Sequence, residues 1–421
     1  MAQQYLPRTL DRKLDRALQT SGAVLIEGPK WCGKTRTAEE KAASVLFMQD
    51  PDHAKRYLLA ADVKPSQLLE GEAPRLIDEW QLAPVLWDAV RFAVDRRGKK
   101  GQFILTGSAV PTDDGMRHTG TGRILRLTMR PMSLFESQES SGEVSLEKLF
   151  DGGRIDDCLS SLEVDKLAFI LARGGWPEAV LSDKSVALAQ VYSYLDAIVH
   201  ADISDVDGVK KDPARVRALL HSLARNTSSM ANFSTIKDDI RGNEETISEK
   251  TIAAYLSALR RLYVTEDLPA WSPAMRSKAA IRTSVKRHFS DPSIAVAALR
   301  GTPDKLLDDF ETFGFLFESL CVRDLRIYAD AADGDVFHYR DKSGLEADAV
   351  VQLRDGRWGA IEVKMGASKI DEAAKNLIEL RNKVDTVKMQ EPSFLMVLTA
   401  AAVGYTRPDG VHVVPIGCLR D

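Results

Sequence analysis

The stretch Gly22 to Thr35, GAVLIEGPKWCGKT, runs an apolar segment directly into Gly28-Pro29-Lys30-Trp31-Cys32-Gly33-Lys34-Thr35, after which helical spacing begins. The octet fits G-x-x-x-x-G-K-[ST], and a strand before it with a helix after it is the context that motif requires. Glycine lets the backbone curl until its N–H groups face phosphate oxygens, and the new helix adds its positive end. The expected ligands are therefore ATP and Mg²⁺. The residues from Gly28 through Thr35, with Arg36 next to them, are the expected nucleotide contacts. Lys34 is expected to reach the β/γ-phosphates, and Thr35 to place its hydroxyl on the metal.

Working outward, SVLFMQD (Ser44 to Asp50), RLIDEW (Arg75 to Trp80) and QFILTGS (Gln102 to Ser108) are further short apolar runs between helical patterns. That alternation predicts a parallel sheet covered by helices, an α/β fold. Leu76-Ile77-Asp78-Glu79 ends a strand in two carboxylates; after a phosphate loop, Asp78 is the expected Mg²⁺ ligand and Glu79 the base that polarises water. Ser108 closes the next strand with a hydroxyl positioned to orient water or the γ-phosphate. Arg123, with Arg126 and Arg130 as competitors, is the candidate arginine finger acting in trans, a role that implies a homo-oligomer.

At 421 residues, 44% hydrophobic and 28% charged, the chain is expected to fold as two to four globular domains. A net charge of −4 gives no global attraction to nucleic acid, so such binding needs a local basic patch. The four cysteines lack CxxC spacing, and they read as reduced thiols. The first residues lack the apolar core of a signal peptide, and no apolar run reaches membrane-spanning length. The expected location is cytoplasmic, with no membrane partner.

SQESSGEVSLE (Ser137 to Glu147) reads as a surface linker or loop. From about Asp165 to Leu262 the spacing is mostly helical, and the last two helices before an extended stretch form a winged-helix pattern. Ser248 to Leu262, with Ile252, Tyr255, Leu256 and Leu259 on one face, is the candidate recognition helix. Its surroundings balance five basic with five acidic residues. Leu268 to Ser290 instead contains Arg276, Lys278, Arg282, Lys286 and Arg287 with no acidic residue, which makes it the best DNA-binding patch in the chain.

The C-terminal third holds GLEADAVVQLRDGRWGAIEVKMG, Gly344 to Gly366. In both halves apolar residues occupy the odd positions, and charged ones the even positions. A two-residue Asp355-Gly356 turn would set Asp348 against Val363. A three-residue loop with Gly356 in the left-handed conformation instead pairs Ala349 with Ile361 and sets Asp348 opposite Glu362, with Lys364 diagonal. Two carboxylates and a lysine on one exposed face suit a Mg²⁺-dependent phosphodiesterase, to which Glu318 would add a carboxylate from a helix. A solvated charged face is the plainer reading of the same pattern.

GPKWCGKT, LIDEWQ, LTGSA, GRILRLTMRPMSLFE, RGGWPEAV, FSDPSIAVA, GFLFESL and YRDKSGLEADAVV…AIEVK, in this order, resemble prokaryotic ATPases of the AAA superfamily that carry a C-terminal domain of unknown function. The resemblance implies an AAA-type P-loop ATPase domain over 1–140, a helical segment over 141–225, a winged helix over 226–290 and a restriction-endonuclease-like α/β domain over 291–421. It also implies that the PD-(D/E)xK nuclease pattern falls on Asp348, Glu362 and Lys364, with Glu318 as the helix acid. Ala347 stands where that pattern has proline. Three functions follow as expectations: ATP hydrolysis coupled to the later domains near DNA, an ATP-gated nuclease, or a nucleotide-controlled DNA-binding regulator.

Overall fold

Alternating side chains explain the first sheet. In β1 (Ala23–Glu27), Val24 and Ile26 point to one side and Ala23 and Leu25 to the other, and all four are buried. A strand apolar on both faces belongs in the middle of a helix-covered sheet. With β2 (Ser44–Phe47), β3 (Arg75–Asp78), β4 (Phe103–Gly107) and β5 (Ile124–Thr128) it forms a parallel sheet of order β2-β3-β4-β1-β5. Val24, Ile26, Leu76 and Ile104 meet Leu10, Leu14 and Ala17 of α1 (Leu10–Thr20) and Ala38 of α2 (Lys34–Glu39). Leu25, Ile77, Phe103 and Leu105 form the opposite core with Leu86, Trp87 and Val90 of α4 (Val85–Arg97) and Ala61 of α3 (Ala54–Val63).

This computed structural model describes residues 5–108, 120–155, 157–241, 247–273, 284–384 and 389–421. The chain divides into two compact units. One contains Met1–Pro131, His200–Lys211 and Ser257–Val264, and the other Met132–Val199, Asp212–Leu256 and Thr265–Asp421.

The second unit is built on a seven-stranded sheet of order β7-β12-β13-β11-β10-β9-β8. Its strands are β7 (Cys158–Leu159), β8 (Gly334–Arg340), β9 (Glu346–Leu353), β10 (Trp358–Lys364), β11 (Phe394–Thr399), β12 (Val403–Thr406) and β13 (His412–Pro415). β8, β9 and β10 form an antiparallel meander, whereas β11 runs parallel to both β10 and β13. The helix Phe310–Ala331 packs against β8 and β9, and Ile370–Lys383 against β9, β10 and β11.

The β9–β10 connection is the three-residue loop: Leu353 N–H donates to the Arg357 carbonyl at 2.8 Å, and Gly356 has φ +93°. Ala349 therefore faces Ile361. The even-numbered face is not solvated, however. Asp348 and Glu362 are buried, because neighbouring segments cover a sheet that the alternation alone presents as half-exposed. The stretch from Ser137 to Glu147 is loop as far as Glu143, with Gln138, Ser141 and Glu143 exposed, but it is not a free surface linker. Ser137 and Ser140 are buried, and β6 (Val144–Ser145) pairs in parallel with β14 (Leu419–Arg420).

In the same unit the helix Pro292–Ala298, PSIAVAA, is buried almost throughout and packs on Val164–Arg173, Lys184–Ala197 and Pro213–Arg225. Its small side chains permit that central position. Asp291 caps it, accepting from Ser293 N–H at 2.9 Å, and turns its other carboxylate oxygen to Gly175 N–H at 3.0 Å and to Arg323 Nη1 at 2.8 Å. Arg323 reaches Asp324 through Nη2 at 2.7 Å, and Asp324 accepts from Leu134 N–H at 2.9 Å. Gly175 lies so close to Met132 that a β-carbon would come within 2.2 Å of the Met132 carbonyl oxygen.

Because Arg323 is fully enclosed between two carboxylates, Arg323→Met is expected to cost about 3 to 5 kcal/mol by leaving both uncompensated. Adding Asp291→Asn and Asp324→Asn is expected to recover part of that loss. Urea denaturation of the single and triple variants measures both.

Candidate functional site

The loop after β1 needs glycine at two places. A β-carbon on Gly28 would lie 2.0 Å from the Met129 carbonyl oxygen, and Gly33 starts α2 with φ +98°. Arg8 braces the loop from outside, donating to the Cys32 carbonyl at 2.8 Å and to the Arg130 carbonyl at 2.7 Å. Cys32 is buried beneath the loop, whereas Trp31 is exposed with φ +66°. Lys30 leaves the loop to pair with Asp202 at 2.6 Å. Arg36 points along α2, pairing with Glu40 at 2.6 Å and lying over the Tyr5 ring.

Lys34 is buried, and its ammonium donates to the carbonyls of Gly28 at 3.0 Å and Pro29 at 2.7 Å. Asp78, at the end of β3, has no exposed surface. It accepts from the hydroxyls of Thr35 at 2.7 Å and Thr106 at 2.6 Å, and from the Gln49 amide at 3.1 Å. Glu79 follows in the left-handed conformation, φ +55°, and accepts from the Gln81 amide and from the Ser108 hydroxyl at 3.3 Å. Parallel strands β1, β3 and β4 thus bring Lys34, Thr35, Asp78, Glu79 and Ser108 together at their C-terminal ends.

Arg123 is elsewhere. It precedes β5 at the opposite end of the sheet, the length of the five-residue β1 away from the loop, about 16 Å at strand rise. Its guanidinium is exposed and bonds Asp95 at 2.9 Å, so it does not reach the chain's own loop. Arg126 pairs with Glu27 at 3.2 Å and lies over the Trp87 ring. Sequence reasoning missed Arg8, Gln49, Gln81 and Asp202. Gln81 could have been found from its position two residues after Glu79; the other three come from distant segments and leave no local signal.

In the second unit Asp348, Glu362, Lys364 and Glu318 do meet. Lys364 donates to Glu362 at 2.5 Å and to Asp348 at 3.4 Å, while Val363 N–H donates to Asp348 at 2.9 Å. A second ammonium is present that the pattern does not include. Lys286 donates to Glu318 at 2.9 Å and to Asp348 at 3.1 Å. Burial, with the charge of Asp348 next, pushes the Glu318 carboxyl up to about 8 and that of Glu362 up to about 7. At Asp348 burial acts the same way, but the two ammonium groups and the Val363 N–H outweigh it and hold the carboxyl well below its usual range.

Lys286 arrives on a segment tied to the sheet. It exchanges backbone bonds with Leu268 at 2.8 and 2.9 Å, and Trp271 packs on Trp358 with ring centroids 4.7 Å apart and tilted by 35°, and donates to the Gln352 side chain at 3.0 Å. Arg287 is also buried, bonded to Asp267 at 2.6 Å. These two residues are therefore not part of a DNA-facing patch: carboxylates from other segments had already claimed their charge. Arg276, Lys278 and Arg282 lie outside the described residues.

A divalent cation favours hard oxygen donors with a coordination space free for it. At Thr35 and Asp78 the donors are a hydroxyl and a carboxylate beside a phosphate loop, which fits Mg²⁺. At Asp348, Glu362 and Glu318 the space between Glu318 and Asp348 holds the Lys286 ammonium. Among the described residues, no group of three or more His, Cys, Asp and Glu side chains is disposed to hold a metal. The second cluster does not fit a divalent cation as it is folded.

Residues 20–138 match an AAA domain family, while 164–305 and 313–419 match two domains of unknown function, DUF8612 and DUF4143. No curated protein matches the chain. Among solved structures, the Walker-type ATPase paby2304 of Pyrococcus abyssi is 15% identical, with 68% of this chain and 94% of that one covered at a TM-score of 0.42. A structure of Drosophila ORC bound to DNA is also 15% identical, with 69% and 85% covered at 0.18. These scores are too low to carry an argument. No helix among the described residues is long and apolar enough to cross a membrane. Phosphate loop, parallel sheet and family match together make residues 20–138 an AAA-type P-loop ATPase domain.

Proposed function

We propose that the chain hydrolyses ATP with Mg²⁺ and uses the change in nucleotide state to act on the regions that follow the ATPase domain. The observation that carries this reading is the convergence on Asp78, where the hydroxyls of Thr35 and Thr106 and the Gln49 amide hold one carboxylate beside the loop. Thr35 and Asp78 would hold Mg²⁺, which when bound neutralises charge between the β- and γ-phosphates.

Lys34 would exchange the Gly28 and Pro29 carbonyls for phosphate oxygens, a move from neutral to charged acceptors that strengthens its hydrogen bonds. Glu79 would take the proton of the attacking water once Gln81 and Ser108 no longer absorb its charge. Ser108, on the next strand, would then be free to orient that water. Lys30, held by Asp202 within the same unit, gives the loop a mechanical tie to the segment His200–Lys211. Such a tie is a route by which loop closure would shift that segment, as nucleotide switches do.

An ATP-gated nuclease is the second reading, favoured by Asp348, Glu362 and Lys364 meeting across β9 and β10; it needs a metal at carboxylates that Lys286 already engages. Contact with DNA would have to use surfaces other than Lys286 and Arg287.

Lys34→Ala is expected to weaken ATP binding about a hundredfold or more, the equivalent of roughly 3 kcal/mol of charge-assisted bonds. Glu79→Gln is expected to bind ATP with wild-type affinity while turnover falls by about 10² to 10⁴-fold, the usual contribution of a general base. Nucleotide titration and phosphate release measure the two separately, and wild-type turnover in Glu79→Gln would remove Glu79 from that role.

A further inference from the structure

We infer that Lys286 is a tethered cation that replaces the divalent metal in the C-terminal carboxylate cluster, so that this domain keeps a nuclease-like arrangement of side chains without a metal site. The inference rests on geometry. Asp348, Glu362 and Glu318 bring three carboxyl groups into a space shielded from water, where the Lys364 ammonium pairs with Asp348 and Glu362. Lys286 supplies one positive charge at the same place, within 2.9 Å of Glu318 and 3.1 Å of Asp348. It stands where a metal would have to touch both carboxylates.

The ammonium is not a passing surface contact. Lys286 has only 5% of its surface exposed, and the backbone that carries it is bonded in both directions to Leu268. The same segment is fixed again where the Ser284 carbonyl meets the His338 ring at 3.0 Å and where Ala270 bridges to His338. A metal entering from solution would have to displace a buried, paired charge, and that exchange leaves an ammonium desolvated with no partner. Oxygen donors alone do not make a metal site when a covalently attached cation is already bound to them at high effective concentration.

Manganese binding to the nucleotide-free full-length protein tests this by counting bound Mn²⁺ with electron paramagnetic resonance. Wild type and Asp348→Asn are expected to give the same isotherm, because the wild-type protein has no site that depends on Asp348. Lys286→Met is expected to gain one Mn²⁺ bound at least tenfold tighter than any wild-type Mn²⁺. That gain is expected to vanish in Lys286→Met combined with Asp348→Asn. If Lys286→Met does not fold, Lys286→Met with Glu318→Gln replaces it, since this removes one of the carboxylates left unpaired. A wild-type Mn²⁺ site lost in Asp348→Asn overturns the inference, as does a folded Lys286 variant that gains no Mn²⁺. ATP turnover plays no part in these measurements, so their outcome is independent of the ATPase reading.

Discussion

Arg323 is the residue on which the second unit converges. Its guanidinium spans Asp291, which caps the buried helix Pro292–Ala298, and Asp324, which holds the Leu134 backbone; Asp291 also holds Gly175. Four stretches far apart in sequence therefore share one ionic centre. None of its charges can be removed alone without leaving another desolvated. The Trp176 indole adds a bond to Ser293 at 3.1 Å, and Arg173 pairs with Glu139 at 2.7 Å, so the Gly-Gly-Trp-Pro turn is locked from both sides. The motifs RPMSLFE, RGGWPEAV and FSDPSIAVA occur together because they are parts of one structural joint.

The ATPase domain uses its polar groups in the opposite way. Asp78, Lys34 and Glu79 are all satisfied by the protein, but by neutral partners, hydroxyls, amides and loop carbonyls, which on the proposed function phosphate and metal would displace. These bonds carry a charge on one side only, whereas an ammonium–phosphate or carboxylate–metal contact is charged on both. The groups are thereby held in place, avoid the cost of unpaired burial, and stay exchangeable. Around Arg323 and Lys286 the partners are instead buried carboxyl groups that the fold holds in place.

That contrast explains why the two carboxylate sets behave differently. The pairing of Asp348, Glu362 and Lys364 was readable from alternation and from the turn at Gly356, because strand register has period two and a left-handed glycine selects the loop. Lys286 looked like one of five positive charges in a basic stretch. Only the fold showed that it turns inward, since Glu318 and Asp348 lie 32 and 62 residues further along the chain. The expectation of a linker or loop for Ser137 to Glu147 held only as far as Glu143 for a similar reason: its polar composition is typical of a surface, but β14 from the far end of the chain pairs with Val144 and Ser145.

By itself the sequence determined what depends on neighbours: the phosphate loop, the strand that leads into it, the carboxylates at the tip of β3, and the register of the β9–β10 hairpin. Each of these follows from backbone geometry over a few residues. Tertiary structure alone decided which charges meet: Asp202 on Lys30, Asp95 on Arg123, and Lys286 among the carboxylates. Ion pairing depends on distance in space, and a folded chain brings together residues whose separation in sequence carries no trace of it.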